Sequence, residues 1–172
     1  MAQDLSNKYF VRKTSTAAWE DITTKFDGVK VLSIDGFNER GEAVNVYNEQ
    51  WINSQTEDFL VTTKDGQGND VIIRKNIDLS LTFIVSRRYA NSAIDEQTTY
   101  DNIVSYLCDN GDFYIKSAYA NKQAHVICTK SFKPTTQKLH RAENSYILAT
   151  VPLHCLEKPK QTGVIEDAGD IL

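Results

Sequence analysis

From Ile77 to Ser86 the chain alternates. Ile77, Leu79, Leu81, Phe83 and Val85 fall on one side, with Asp78, Ser80, Thr82, Ile84 and Ser86 on the other. A period of two puts the first set on one face of a strand, and that face is expected to be buried. With its approach through Val71 to Ile73, this predicts one long strand, or two joined by a bend at Lys75-Asn76. A second alternating run ends the apolar part of the chain. From Tyr146 to Leu156, Ile147, Ala149, Val151, Leu153 and Cys155 share a face. Pro152 within it lacks a donor, which predicts an edge position or a bulge. Between these runs the period changes. Tyr100, Ile103, Val104 and Leu107 fall at helical spacing and form one stripe. Thr98 with Asp101 resembles a capping box, and Asn110-Gly111 supplies the stop. A helix of about three turns is not stable alone in water, so the stripe is expected to dock on a sheet.

Shorter strands are predicted at Tyr9–Lys13, Val29–Ile34, Ala43–Tyr47, Phe59–Thr63, Val71–Arg74, Phe113–Tyr119 and Ala124–Thr129. Val29–Ile34 and Ala43–Tyr47 are expected to form a hairpin whose loop carries Asp35 to Gly41. Lys64-Asp65-Gly66-Gln67-Gly68-Asn69-Asp70 reads as a turn, because glycine and Asx residues tolerate positive φ. Ala120-Asn121-Lys122-Gln123 reads as a second hairpin turn. Lys133 to Asn144, with Pro134, reads as a polar loop. The expected fold is therefore mainly β (α+β), a β-sandwich or barrel of antiparallel strands with one short packed helix. Residues 1–157 are expected to form a single domain, and 158–172 an extension. In that extension Val164, Ile165, Ile171 and Leu172 could dock on a partner.

Composition narrows the function classes. The 172 residues are 41% hydrophobic and 24% charged, ordinary for a globular chain. The net charge of -4 lacks the basic surplus of a nucleic-acid binder. No apolar run approaches the roughly 20 residues of a membrane helix. Met1 to Lys13 is polar and mixed, unlike a secretory signal. Three cysteines, Cys108, Cys128 and Cys155, form no framework and are expected to be reduced.

Candidate chemistry is thin. His125 and Cys128, three apart on a strand, point to opposite faces, and adjacent His154 and Cys155 also diverge. With His140 they match no zinc spacing. Asp65, Asn69 and Asp70 surround two glycines, but an EF-type loop needs alternating oxygens and a glutamate at position twelve. Asp109 and Asp112 flank a helix stop and read as turn residues. No Gly-x-Ser-x-Gly, His-Glu-x-x-His or phosphate-binding loop occurs. The expectation is thus no catalytic, cofactor-binding or metal residue, no cofactor, and no enzyme activity. Arg87-Arg88-Tyr89 and Lys130 to Lys133 mix cations with aromatics, as in single-strand binders, but read better as a solvated rim. Trp19, Tyr47, Trp51 and Tyr114 could supply the aromatic cluster of a module that binds carbohydrate or peptide.

The order of elements resembles the tail-tube fold of phage tail-tube proteins, of the N-terminal belt domain of distal tail proteins, and of contractile secretion-system tube proteins. The resemblance rests on Ile77 to Ser86, Tyr100 to Asn110, and Phe113 through Leu156, with Gly28 through Arg74 fitting the leading hairpins loosely. It implies a homo-oligomeric ring, usually of six subunits, whose sheets join edge to edge around a lumen lined by the long hairpins. The implied partners are copies of the chain and neighbouring tail or baseplate proteins. DNA would pass without specific binding, helped by a negative lumen. The implied location is the virion, after a stay in the bacterial cytoplasm. No second domain is expected after Leu156, which favours a tube or adaptor ring over a distal tail protein. The alternatives are the β-sandwich binding module and, third, a small enzyme.

Overall fold

The computed structural model describes residues 8–43, 45–47, 59–60, 62–138 and 144–162. They belong to two compact units: Met1–Phe37 with Asp78–Leu172, and Asn38–Ile77. The chain is mainly β, and its strands are antiparallel. In the larger unit they are β1 (Tyr9–Arg12), β2 (Glu20–Asp21) and β3 (Val29–Asp35). The smaller unit holds β4 (Asn45–Tyr47), β5 (Phe59–Leu60), β6 (Thr62–Lys64) and β7 (Asp70–Ile72). The larger unit resumes with β8 (Asp78–Val85), β9 (Phe113–Ser117), β10 (Lys122–Ile127), β11 (Thr135–Gln137), β12 (Tyr146–Cys155) and β13 (Lys160–Gln161). A one-turn helix, α1 (Ile22–Lys25), follows β2, and the main helix, α2 (Glu96–Val104), lies between β8 and β9.

The strands of the larger unit make one sheet in the order β2-β1-β9-β10-β12-β8-β3, with β11 beside β12 and β13 beside β10. Among the described residues the path ends at β2 and β3 and does not close into a barrel. The two alternating runs form its centre. β8 and β12 pair without a break from Ile147↔Val85 to His154↔Asp78. Leu79, Leu81, Phe83 and Val85 meet Ala149, Val151 and Leu153 on one buried face, as their period predicts. Val11 from β1, Phe113 and Ile115 from β9 and Val126 from β10 are also fully buried. Burying each such side chain contributes about 1.5–3 kcal/mol.

Pro152 is neither in an edge strand nor at a bulge, because β12 runs between β8 and β10. The proline is tolerated for a local reason. On the side away from β8, β12 meets β11 only at Tyr146 to Leu148 and β10 only at His154 and Cys155. Pro152 lies between these contacts, where no described strand asks for its missing N–H.

The expected hairpin around Asp35 to Gly41 does not form. β3 pairs instead with β8, from Val29↔Val85 to Asp35↔Ser80, with a bulge between Val31 and Ser33. Burying Val29 and Val31 beside the apolar face of β8 outweighs the local turn signal. Gly36 then takes φ +110, and a Cβ there would stand 2.7 Å from the Asp78 carbonyl oxygen, so only glycine fits this exit. In the smaller unit β4 pairs with β5, and Ala43 bridges to Arg74.

The helix starts one turn before the expected cap. The Asp95 carboxylate accepts hydrogen bonds from the Thr98 backbone N–H (3.2 Å) and hydroxyl (2.8 Å). Thr98 therefore lies inside the first turn, and Asp101 accepts from the Gln97 side chain instead. Ile103 and Leu107 are buried, while Tyr100 and Val104 are half-buried. After Val104 the backbone loosens into a π turn, Ser105–Asp109, and Gly111 at φ +83 ends it. The polar stretch after Lys133 contains β11. The expected extension begins with β13, which pairs with β10, and the Thr162 N–H donates to the Asn121 carbonyl. The apolar residues of the expected arm, from Val164 on, lie outside the described residues.

Candidate functional site

The outer face of β1, β9 and β10 carries the densest chemistry. Alternation turns Phe10 and Arg12 outward from β1, and Tyr114 and Lys116 outward from β9. The register sets each cation opposite an aromatic: Phe10↔Lys116 and Arg12↔Tyr114. Trp19, just before β2, joins them. The Arg12 guanidinium lies 4.1 Å from the Trp19 ring centre and 5.4 Å from that of Tyr114. The Lys116 ammonium lies 4.8 Å from the Phe10 ring and 4.7 Å from Trp19. On the far side, Tyr114 stacks on His125 at 4.3 Å and 8°. Such contacts contribute about 0.5–1 kcal/mol each at exposed sites. This ladder was hidden from sequence reading, because it needs the β1–β9 register. Only the out-facing Phe-x-Arg and Tyr-x-Lys spacing hinted at it.

The arrangement decides what this face can bind. Of the four aromatics named for a binding module, it unites Trp19 and Tyr114. Trp51 lies outside the described residues, and for Tyr47 only the backbone is described. A sugar ring stacks on a bare aromatic face, whereas here the guanidinium of Arg12 covers Trp19 and an imidazole covers Tyr114. The ladder stiffens the sheet rather than offering an open platform.

The histidines separate as strand geometry requires. His125 pairs with Asp112 across the start of β9, and that hydrogen bond, before any other cause, holds the Asp112 carboxyl below its ordinary value. His154 Nδ1 lies 2.7 Å from Asp78 Oδ1, and Lys130 Nζ lies 2.7 Å from Asp78 Oδ2. These two partners, Lys130 first, lower the Asp78 carboxyl. The trio clips β8, β12 and the segment after β10 beside the two residue pairs, Val126↔Cys155 and Ile127↔His154, that join β10 to β12. Its members hold one another in ion pairs, with no Ser, Thr or Cys among them. Cys155 is buried on the opposite face, and burial pushes its thiol up to about 11. His140 lies outside the described residues. Among the described residues no three His, Cys, Asp or Glu converge as metal ligands.

The remaining candidates are engaged locally. The Asp65 carboxylate accepts from the Gln67 and Asn69 N–H groups and closes its own turn. Asp109 accepts from Ser105. Arg87 pairs with Glu96 at 3.4 Å, Lys30 lies over Tyr89, and Lys130 is held by Asp78. A cavity of about 400 Å³ opens between the start of α2 and β11, lined in part by Arg87, Asp95, Glu96, Lys138 and Tyr146. There Asp95 caps the helix and the Tyr146 hydroxyl donates to Gln137.

The smaller unit presents a different surface. β6 and β7 pair Thr62↔Ile72, Thr63↔Val71 and Lys64↔Asp70, closed by the Asp65 turn and a Lys64–Asp70 ion pair at 2.6 Å. Among the described strands they pair only with each other. Val71, Ile72 and Ile73 are 43%, 40% and 37% exposed. Alternation along the strand puts Ile72 on one face and Val71 and Ile73 on the other.

Comparison of the chain with models of known families and with curated protein sequences finds no match.

Proposed function

We propose that the chain is a structural subunit that assembles with its own copies into a ring or tube, as in phage or phage-like tails. The observation that carries this reading is the β6–β7 hairpin. A two-stranded hairpin is at best marginally stable by itself in water. This one has a well-built turn, two strand edges without a described partner, and apolar side chains on both faces. Such a hairpin gains most by entering a larger sheet, and identical hairpins of neighbouring subunits are the simplest suppliers.

β8 is flanked by β3 and β12, and Pro152 sits in an interior strand. Among the described strands, unpaired edges lie in β6–β7 and β4–β5 and at the β2 and β3 ends of the large sheet, where Leu32 at the β3 bulge is 46% exposed. The tail-tube resemblance supplies the number six and the partners, neighbouring tail or baseplate proteins. In this reading the protein is no enzyme, binds no cofactor, and works in the virion after assembly in the bacterial cytoplasm. DNA would pass through the lumen unbound, in keeping with the acidic net charge.

Negative-stain electron microscopy of the concentrated protein tests the reading. Rings or stacked rings with a central hole are expected. Uniform compact particles of single-chain size at every concentration would leave the binding-module reading in its place.

A further inference from the structure

The corner that ends the main helix carries a reactive pair. Asn110-Gly111 is the one Asn-Gly pair in the sequence, and it closes the π turn that follows α2. Asn110 is exposed. Gly111 takes φ +83, and a Cβ built there would meet no atom within 4 Å. Glycine has no side chain to shield its nitrogen, and its backbone moves readily between conformations. Among the described residues no backbone carbonyl takes the Gly111 N–H. Lys13 holds the corner from the other side. Its ammonium donates to the Tyr106 carbonyl at 3.1 Å and to the Asn110 carbonyl at 3.4 Å. A second exposed asparagine supplies the contrast. Asn91 precedes Ser92, and the Ser92 N–H donates to the Asp27 carboxylate at 3.1 Å, so the nitrogen that would react there is held.

We propose that Asn110 is a site of spontaneous deamidation, with water as the only co-reactant, and that the folded subunit accumulates isoaspartate and aspartate there. The Asn110–Gly111 peptide swings away from ψ 19, for which the open surroundings leave room, and the Gly111 nitrogen attacks the carbonyl carbon of the Asn110 side chain. The new C–N bond closes a succinimide ring. The bond to the Asn110 side-chain nitrogen breaks, and ammonia leaves with the proton from Gly111. Water then opens the ring at either carbonyl and breaks one of its C–N bonds. One opening gives aspartate, and the other gives isoaspartate, in which the main chain runs through the former side chain. No electrons are transferred, and the nitrogen lost as ammonia is replaced by the oxygen of water. In the isoaspartate product the former Asn110 backbone carbonyl becomes the free carboxylate, and Lys13 is the cation already beside that oxygen. Either product places a new negative charge at the C-terminal end of a helix, between Asp109 and Asp112, where the helix dipole disfavours it. The inference stands apart from the ring reading, since it concerns one chain.

The test is storage of the purified, folded protein in neutral and in mildly alkaline buffer, beside the same chain unfolded in guanidinium chloride. Ion exchange follows the gain of negative charge, and released ammonia is measured. Peptide mass mapping locates the site, and labelling by an isoaspartyl methyltransferase separates the two products. Asn110 should convert first, to both products, and faster in the alkaline buffer. Its rate should exceed that of Asn91 by about tenfold or more, a barrier lower by about 1.4 kcal/mol. Asn110→Gln, which lengthens an exposed side chain, should fold normally and lose the early charge gain. A native Asn110 still intact when the unfolded chain has converted at that position would overturn the proposal. So would an early charge gain that maps to another residue or persists in Asn110→Gln.

Discussion

Ile103→Ala probes whether the stripe of α2 is what holds the helix to the sheet. Nine residues of helix do not persist alone in water, so α2 depends on its buried contacts. Ile103 is 0% and Leu107 1% exposed, so these two side chains carry most of the docking. Truncating Ile103 removes three carbons. Their transfer alone is about 2.4 kcal/mol at ~0.8 kcal/mol per carbon, and the cavity left behind brings the cost to about 3–4 kcal/mol. Total stabilities of about 5–15 kcal/mol leave the variant folded. Urea unfolding followed by circular dichroism should show an unchanged slope and a midpoint lower by about 1.5–2 M, taking a slope of about 2 kcal/mol/M. Ile103→Val, which removes one carbon, should cost about 0.5–1.5 kcal/mol. Asn102→Ala, on the exposed side, should stay within about 0.5 kcal/mol. An Ile103→Ala cost below about 1 kcal/mol, indistinguishable from Asn102→Ala, would refute the docking of this stripe.

Two further substitutions test particular placements. Asp78 is held below its unfolded value by Lys130 and His154. Its contribution is therefore intact above the unfolded pKa of about 3.9 and fades as pH falls through the lower folded value. Asp78→Asn should cost about 1 kcal/mol or less at neutral pH, because the pair is partly solvated, and the gap to wild type should narrow in urea titrations below about pH 4. A gap that widens on acidification contradicts the clip. Gly36→Ala places a methyl 2.7 Å from the Asp78 carbonyl at φ +110 and should destabilise by more than about 1 kcal/mol. Gly66→Ala, with no atom within 4 Å of its Cβ, should stay within about 0.5 kcal/mol, so equal urea midpoints for the two variants would refute the exit at Gly36.

The sequence was most informative where one local period decided the outcome. Ile77 to Ser86, Tyr146 to Leu156 and the stripe through Ile103 and Leu107 all bury the faces their spacing predicts. The hairpins turning at Asp65 to Asn69 and near Asn121 were legible because turn residues have specific backbone needs. Partner choice was not legible. A period of two tells which side of Val29–Asp35 is apolar, but not that it joins β8 rather than the next strand. The helix cap moved from Thr98 to Asp95 because both residue types cap, and Asp95 begins the helix one turn earlier. Pro152 signalled a missing strand neighbour, yet the gap is local to one side of β12. The cation–aromatic ladder needed two strands in register before Arg12, Trp19 and Tyr114 could be seen as one cluster.

Self-association is the central claim, and sedimentation velocity over a wide concentration range tests it most directly, with wild type beside an Ile72→Lys variant. Ile72 is 40% exposed on the β6–β7 hairpin, so a lysine there can keep its ammonium in water. The account predicts that wild type moves with rising concentration from a single chain to one closed species, six chains by the tail-tube resemblance, while the folded variant remains a single chain. A wild-type protein that stays a single chain at the highest concentration, or a variant that assembles equally well, would contradict it.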